Sequence, residues 1–576
     1  MDSHPPGKPG SARPSHEYST RPIVEVARDL GLEDHLEPYG RDKGKIGLAA
    51  LDLPARGAGR LVLVTAINPT PAGEGKTTMS VALAMGMRRL GKKAVLALRE
   101  PSLGPIFGVK GGGTGGGRAS LSPADDINLH FTGDLHAITS AHNLLSAMID
   151  NAIYFRETFG ATEGHDGDEL DPRMVTWGRA LDMNDRALRR VLVGLGGKPD
   201  GVPREERFDI TAASEVMAIL ALSQSYADLE ARLARIVVGR TFGGSAVTAG
   251  DLGAAPAMTA LLRDALKPNL VQTLEGGPAI VHCGPFGNIA HGCNSVLATR
   301  LACRLGDYAI TEAGFGFDLG GEKFLDLKAR VAGVWPRVVV LVATLRALKM
   351  HGGAGKKHAA DPDRKALLAG IAHLEHHLGI AQRFGLPAVV AINVFPEDPE
   401  RELALLEDAM AQKGVRIARC DAFAVGGEGG VALARAVAEV ADATDPAPPE
   451  PRYVYDLGDT PREKIQKIAR EVYGASDVAF TPQALKDLEW AEAHGGRELP
   501  ICVAKTQLSL SDDPTLLGHP QDFVITVREV RLSAGAGFLV PLTGLVMTMP
   551  GLPRVPAARH IRLDPDGRIR GLMQHD

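Results

Sequence analysis

The feature that most constrains this chain is an apolar strand, a glycine-bearing loop and a helix in immediate succession near residue 70. Leu61 to Ile67 (LVLVTAI) is a short apolar, β-branched run, as a strand buried on both faces requires. Thr77 to Leu90 is rich in Ala, Met and Leu and stops at Gly91, a natural helix end. Ala94 to Leu98 is a second apolar run, so the three segments form a βαβ unit. Between the first strand and the helix lies Thr70-Pro71-Ala72-Gly73-Glu74-Gly75-Lys76-Thr77-Thr78. Gly73 and Gly75 let the backbone turn sharply and aim successive N–H groups at one point. The helix that follows adds the partial positive charge of its N-terminus. Lys76 supplies a full charge for the β- and γ-phosphates, and the Thr77 hydroxyl can hold Mg²⁺. The segment from Thr70 to Thr77 therefore reads as an ATP loop. Thr70 stands where the strict GxxxxGK[ST] pattern has Gly, and the strand before and helix after restore the specificity that this departure loses.

Further strands are predicted at Ala279–His282, Tyr308–Thr311, Val338–Ala343 and Ala388–Asn393, with helices at Ser214–Leu222 and Lys365–Phe384. Such alternation implies an α/β fold of the P-loop nucleoside-triphosphate-hydrolase type, with a mainly parallel sheet and helices on both faces. Smaller α/β and C-terminal parts would be attached to it. The Pro- and Ala-rich run Asp442–Pro451 reads as a linker. The expected division is a disordered tail at 1–20, a large nucleotide- and substrate-binding domain at 21–360, a second α/β domain at 361–445 and a C-terminal α+β domain at 446–576. The segment 201–305 should decorate the large domain.

The chain has 576 residues, 44% of them hydrophobic, enough for a sizeable core. A net charge of −5 gives no basic excess to draw in nucleic acid. No apolar run reaches the length of a membrane span. The N-terminus lacks the apolar region of a secretory signal, and five scattered cysteines suit reduced thiols in a cytoplasm.

Ligands of open α/β sheets sit at the C-terminal ends of the strands. Arg99, directly after the second strand, should therefore face the same crevice as Lys76 and hold a phosphoryl group in a two-pronged contact. Glu100 follows it. The run Lys110–Gly117 is either a mobile substrate lid or a flexible connector. The segment Asp125–Asp134 packs acids, an Asn and a His together, and His130 or Asp134 could handle a proton. His282-Cys283 and His291-Gly292-Cys293 lack paired C-x₂₋₄-C spacing, so a turn lining the crevice suits them better than zinc. His373, His376 and His377 read as a solvated helix face.

These stretches resemble the formate–tetrahydrofolate ligase (formyltetrahydrofolate synthetase) family, monofunctional type, from about Ser19 to the C-terminus. TPAGEGKTT at Thr70–Thr78 is similar to the family's nucleotide loop, and REPSLGPIFGVKGGG at Arg99–Gly113 to its first signature. Asp126–Asp134, Val271–Ser295, Glu312–Phe324 and Lys505–Gly518 match further family runs. The resemblance implies that ATP phosphorylates formate to formyl phosphate and that an amine of tetrahydrofolate then takes the formyl group. Lys76, Arg99, Glu100 and His130 are the candidate catalytic residues, and the resemblance implies a homotetramer and activation by a monovalent cation. It also implies a pterin held between two aromatic rings, here Phe395 and Phe423. Phe423 replaces a usual Trp, Val425 a usual Lys, Val394 a usually basic residue and Arg118 a common Tyr. These departures cluster on the expected folate side. Two competing readings follow: a paralogue that binds another pterin or only regulates, and a P-loop ATPase of the partitioning or metal-insertion type.

Overall fold

A computed structural model describes residues 20–71, 73–108, 113–160, 167–443, 447–544 and 546–572. All but one residue of the expected N-terminal tail, and the loop residues Ala72 and Val109–Gly112, lie outside this set. Among the described residues no helix is long and apolar enough to cross a membrane.

The centre is a 12-stranded sheet. Its main strands are β1 (Arg60–Ala66), β2 (Ala94–Leu98), β3 (Asn269–Thr273), β4 (Pro278–Val281), β5 (Tyr308–Glu312), β6 (Val338–Ala343), β7 (Ala388–Asn393) and β8 (Arg416–Cys420). They lie side by side in the order β3-β4-β2-β5-β1-β6-β7-β8. Every neighbouring pair from β4 to β8 is parallel. Strand β3 is antiparallel to β4 and carries the sheet on to short antiparallel segments at Gly44–Ile46 and Ala119–Ser122. The expected boundary at residue 360 falls within this sheet, since β6 before it is hydrogen-bonded to β7 after it.

The near-continuous apolar character of the strands has a direct cause in their burial on both faces. Successive residues alternate between two cores. Val62, Val64 and Ala66 pack on one face with α1 (Lys76–Arg89) and, further along, α7 (Val431–Asp442). Leu61 and Leu63 pack on the other with α3 (Val296–Leu305), α4 (Leu345–His351), α5 (Arg364–Arg383) and α6 (Glu400–Gln412). Residues after Arg452 join this second core through Tyr455, Ile465, Ile468 and Val527.

The segment 201–305 does more than decorate. With α2 (Asp134–Phe155) and Phe538–Leu542 it builds a third core that includes Leu145, Ile149, Leu220 and Val540. The expected solvated face at His373, His376 and His377 is corrected: His373 and His377 are fully buried. They stand four apart on α5, so both project from its core-facing side.

Candidate active site

Strand β1 delivers the chain into the loop, and α1 opens at Lys76. Gly75 caps that helix in the left-handed region, at φ 76°. A Cβ there would stand 2.6 Å from the Asn393 amide nitrogen, so glycine is required twice over. The loop is folded on itself. Glu74 is buried, and its carboxylate accepts the Thr70 N–H at 2.7 Å, while Gly73 donates to the Thr70 carbonyl at 3.0 Å. Burial pushes the Glu74 carboxyl above its ordinary pKa, against the pull of Lys76. From the end of β7, the Asn393 amide donates to the Glu74 carbonyl at 3.1 Å. Pro71 is exposed at the loop's outer edge.

Lys76, Thr77 and Arg99 converge as expected, and they do so on a residue that the sequence reading passed over. Glu312 is the last residue of β5, which lies between β1 and β2. Its carboxylate accepts the Thr77 hydroxyl at 3.0 Å and stands 4.0 Å from the Arg99 guanidinium. Burial lowers the Lys76 ammonium pKa, Glu74 and Glu312 oppose that shift, and Arg99 adds to it. Two cations, a hydroxyl and a carboxylate thus meet at the C-terminal ends of three adjacent strands. The signal for Glu312 was available: it follows the predicted strand Tyr308–Thr311, as Arg99 follows β2. Asn393, at the end of β7, was legible on the same ground.

Glu100 and His130 are not brought to this cluster. Successive residues of an extended chain point to opposite sides. Glu100 is buried, and Asp134, Lys45 and Asp182 supply its charged surroundings. Lys45 donates to Asp134 at 2.7 Å and to Asn269 at 3.0 Å, and Asn269 donates back to Asp134 at 2.8 Å. Burial, then the charge of Asp134, hold the Glu100 carboxyl well above the usual carboxylate range. His130 is exposed beyond the short helix Ala124–Asn128, and its carbonyl accepts the Gly133 N–H. Among the described residues no side-chain hydrogen bond links it to Lys76, Arg99 or Glu312.

The two candidate pterin rings lie beyond the ends of neighbouring strands, Phe395 after β7 and Phe423 after β8. The Arg346 guanidinium covers the Phe395 ring at 4.7 Å. Phe423 is 39% exposed and packs on the glycine loop, where a Cβ at Gly116 would stand 3.0 Å from its ring. Its carbonyl accepts the Arg118 N–H at 3.0 Å. The FAVGGEGG run after β8 lies hard against α1: a Cβ on Gly430 would fall 2.2 Å from the Ala82 carbonyl. Val425 is exposed, and Val394 is half-buried against the core.

His282 is structural, with Nδ1 2.7 Å from the Ser295 hydroxyl and Nε2 2.7 Å from the Ala265 carbonyl. No cluster of metal-ligating side chains is found among the described residues.

The family model described as Formate--tetrahydrofolate ligase matches residues 12–573 of this chain. A Formate--tetrahydrofolate ligase of Myxococcus xanthus (strain DK1622) is 62% identical over 556 residues, covering 96% of this chain and 99% of the relative. One of Paracoccus denitrificans (strain Pd 1222) is 55% identical over 560 residues, covering 97% and 99%. Sequence motifs, sheet and whole-length similarity agree, and the chain belongs to the formate–tetrahydrofolate ligase family.

Proposed function

We propose that this protein ligates formate to tetrahydrofolate with cleavage of ATP, through a formyl phosphate intermediate, and that Lys76, Thr77, Arg99 and Glu312 carry the phosphoryl transfer. The observation that bears most weight is the meeting of these four side chains at the ends of β1, β2 and β5. A formate oxygen attacks the γ-phosphorus and ADP leaves. The tetrahydrofolate amine then attacks the formyl carbon, phosphate leaves, and the nitrogen gives up its proton. Neither step needs a covalent nucleophile from the protein; both depend on positioning and on neutralising charge. Lys76 and Arg99 supply fixed positive charge where the transferred group gathers negative charge. The Thr77 hydroxyl and the Glu312 carboxylate are hard oxygen donors, the set that suits Mg²⁺. They would hold the ion, which supplies further charge neutralisation when bound with ATP.

Phe395 and Phe423 are read as the pterin platform, on the strength of their place beyond β7 and β8, next to the phosphate loop. Glu100 and His130 keep roles outside the cluster in this reading, with Glu100 shaping the wall behind Arg99. All five cysteines carry free thiols, which supports a cytoplasmic setting. A homotetramer and a monovalent cation activator rest on the family resemblance alone.

Omitting ATP, Mg²⁺, formate or tetrahydrofolate in turn should each abolish 10-formyltetrahydrofolate. The two-step course is tested with hydroxylamine, which traps acyl phosphates. ATP, formate and enzyme without tetrahydrofolate should yield formyl hydroxamate, and a product that appears only when folate is present would overturn the intermediate.

A further inference from the structure

We propose that Asn68, which precedes the phosphate loop, is a positioning residue for ATP, and that His377 and His351 hold it in place. The inference rests on the reading that Thr70–Thr77 binds the nucleotide.

Asn68 is buried two residues beyond β1 and two before Thr70. Its side-chain nitrogen lies 3.1 Å from an Asp318 carboxylate oxygen and 3.1 Å from the Gln507 carbonyl. Both partners can only accept, so the amide NH₂ must be on that side and Oδ1 on the other. That oxygen lies 3.1 Å from His377 Nε2, so His377 must donate there, and its proton sits on Nε2. The Asn68 carbonyl lies 2.9 Å from His351 Nε2, which must also donate. His351 Nδ1 is then bare, and it accepts the Gly518 N–H at 3.2 Å. The second Asp318 oxygen takes the Lys505 ammonium at 2.9 Å, with both side chains fully buried. The contacts fix the amide orientation and both imidazole tautomers without ambiguity.

Four separate pieces of chain converge on this one residue at the exit of β1: the π-helical turn Phe317–Gly321 after β5, α4, α5, and the Lys505–Gly518 segment. Gly316 approaches so closely that a Cβ would stand 2.5 Å from Asp318 Oδ1 and 3.2 Å from the Asn68 backbone nitrogen. At its far side the loop is held by Asn393, through the Glu74 carbonyl. The phosphate loop is thus pinned at both ends, and the Thr70–Glu74 contacts span the interval. A shift of Asn68 moves Thr70 relative to Lys76, and donors aimed at a phosphate lose their aim.

Two variants of His377 separate positioning from mere packing. In His377→Gln the amide reaches the Nε2 position and can still donate to Asn68. In His377→Asn it reaches only the Nδ1 position. His377→Asn should raise the KM for ATP about tenfold, as loss of one buried hydrogen bond implies, and leave the KM for tetrahydrofolate unchanged. His377→Gln should stay within about threefold of the parent. Equal effects of the two variants, or equal rises in both KM values, would overturn the proposal. A second measurement needs no variant: ¹⁵N resonances of histidine-labelled parent protein should show His377 and His351 protonated on Nε2, and a proton on His377 Nδ1 would sink the clamp. Lys76→Ala keeps the two readings apart. If it leaves both kcat and the KM for ATP unchanged, the loop assignment itself fails. If it lowers kcat/KM for ATP while the His377 variants match each other, only the clamp fails.

Discussion

The two ends of the proposed site, the loop read as binding phosphate and the rings read as binding pterin, are built on opposite plans. At the phosphate end polar side chains are tied to one another: Thr77 to Glu312, Glu312 beside Arg99, Glu74 to Thr70, Asn393 to the loop backbone. At the other end a ring lies 39% exposed over glycines, with the exposed Val425 two residues on. The difference follows from the chemistry asked of each. Charge stabilisation gains most when donors are fixed before the reaction, in a site that water does not reorganise. Stacking depends on area and tolerates small displacements of a ring. Substitutions should therefore be steep at one end and shallow at the other.

The sharpest test of that contrast is Lys76→Ala. Removing this half-buried cation should cut kcat/KM for ATP by about 10²–10³, the usual cost of losing one electrostatic contact to a transition state. Equilibrium binding of tetrahydrofolate should not change. A loss of folate binding in step with catalysis would mean that the two ends are not separate.

Acid tests what lies beneath the site. His142, His282 and His377 are buried, and burial lowers their pKa values to about 4, 4 and 3. An unfolded histidine takes its proton near 6.5, above these folded values, so the unfolded chain gains protons first as pH falls. Stability from this source is intact above about pH 6.5 and is lost as pH drops towards 4. Each group contributes a slope of at most about 1.4 kcal/mol per pH unit, so the three together approach about 4 kcal/mol per unit near pH 5. Denaturant midpoints at pH 7, 6 and 5 check this. The slope should fall by about one proton in His377→Gln, and an unchanged slope would show that His377 is not buried in its neutral form.

A smaller effect is expected at the ring. Phe423→Ala should raise the KM for tetrahydrofolate about tenfold, since one stacked aromatic is worth roughly 1–3 kcal/mol, and leave the KM for ATP alone. Phe423→Trp restores the family's larger face and should lower the folate KM below the parent value. If Phe423→Ala binds folate normally, the platform assignment falls while the phosphate end stands.

The same division marks what was legible in the sequence. Strand runs with both faces buried carry a strong local signal, so β2, β6 and β7 fall where Ala94–Leu98, Val338–Ala343 and Ala388–Asn393 were expected. The placement of Lys76, Thr77 and Arg99 was legible because the loop joins β1 to α1 and Arg99 directly follows β2. Glu312 opens the family-like run Glu312–Phe324 yet received no role, because a carboxylate at a strand end does not show its partners; only the strand order, with β5 between β1 and β2, makes it a neighbour of Thr77. Glu100 was grouped with Arg99 by adjacency, whereas alternation along the backbone turns it towards Asp134 and Lys45. The histidines of α5 were misplaced because polarity outweighed spacing: His373 and His377, four apart, share the helix's buried side. The Asn68 contacts span sequence separations of 250 to 439 residues, and no local pattern reaches so far.

The smallest expected effect is at Val425, and it sharpens the contrast most finely. The position is 41% exposed, one residue before the glycine run Gly426–Gly430. A lysine there would face solvent, where one charge contact is worth only about 0.2–1 kcal/mol and is screened by salt. Val425→Lys should therefore improve the KM for tetrahydrofolate less than about fivefold at low ionic strength, with the gain fading by about 0.15 M salt. If the added cation meets a polyglutamate tail, the gain should grow with the number of glutamates, because each adds a carboxylate. A gain that resists salt would mean that the bound folate buries this corner, and that the pterin end is more enclosed than its exposed side chains indicate.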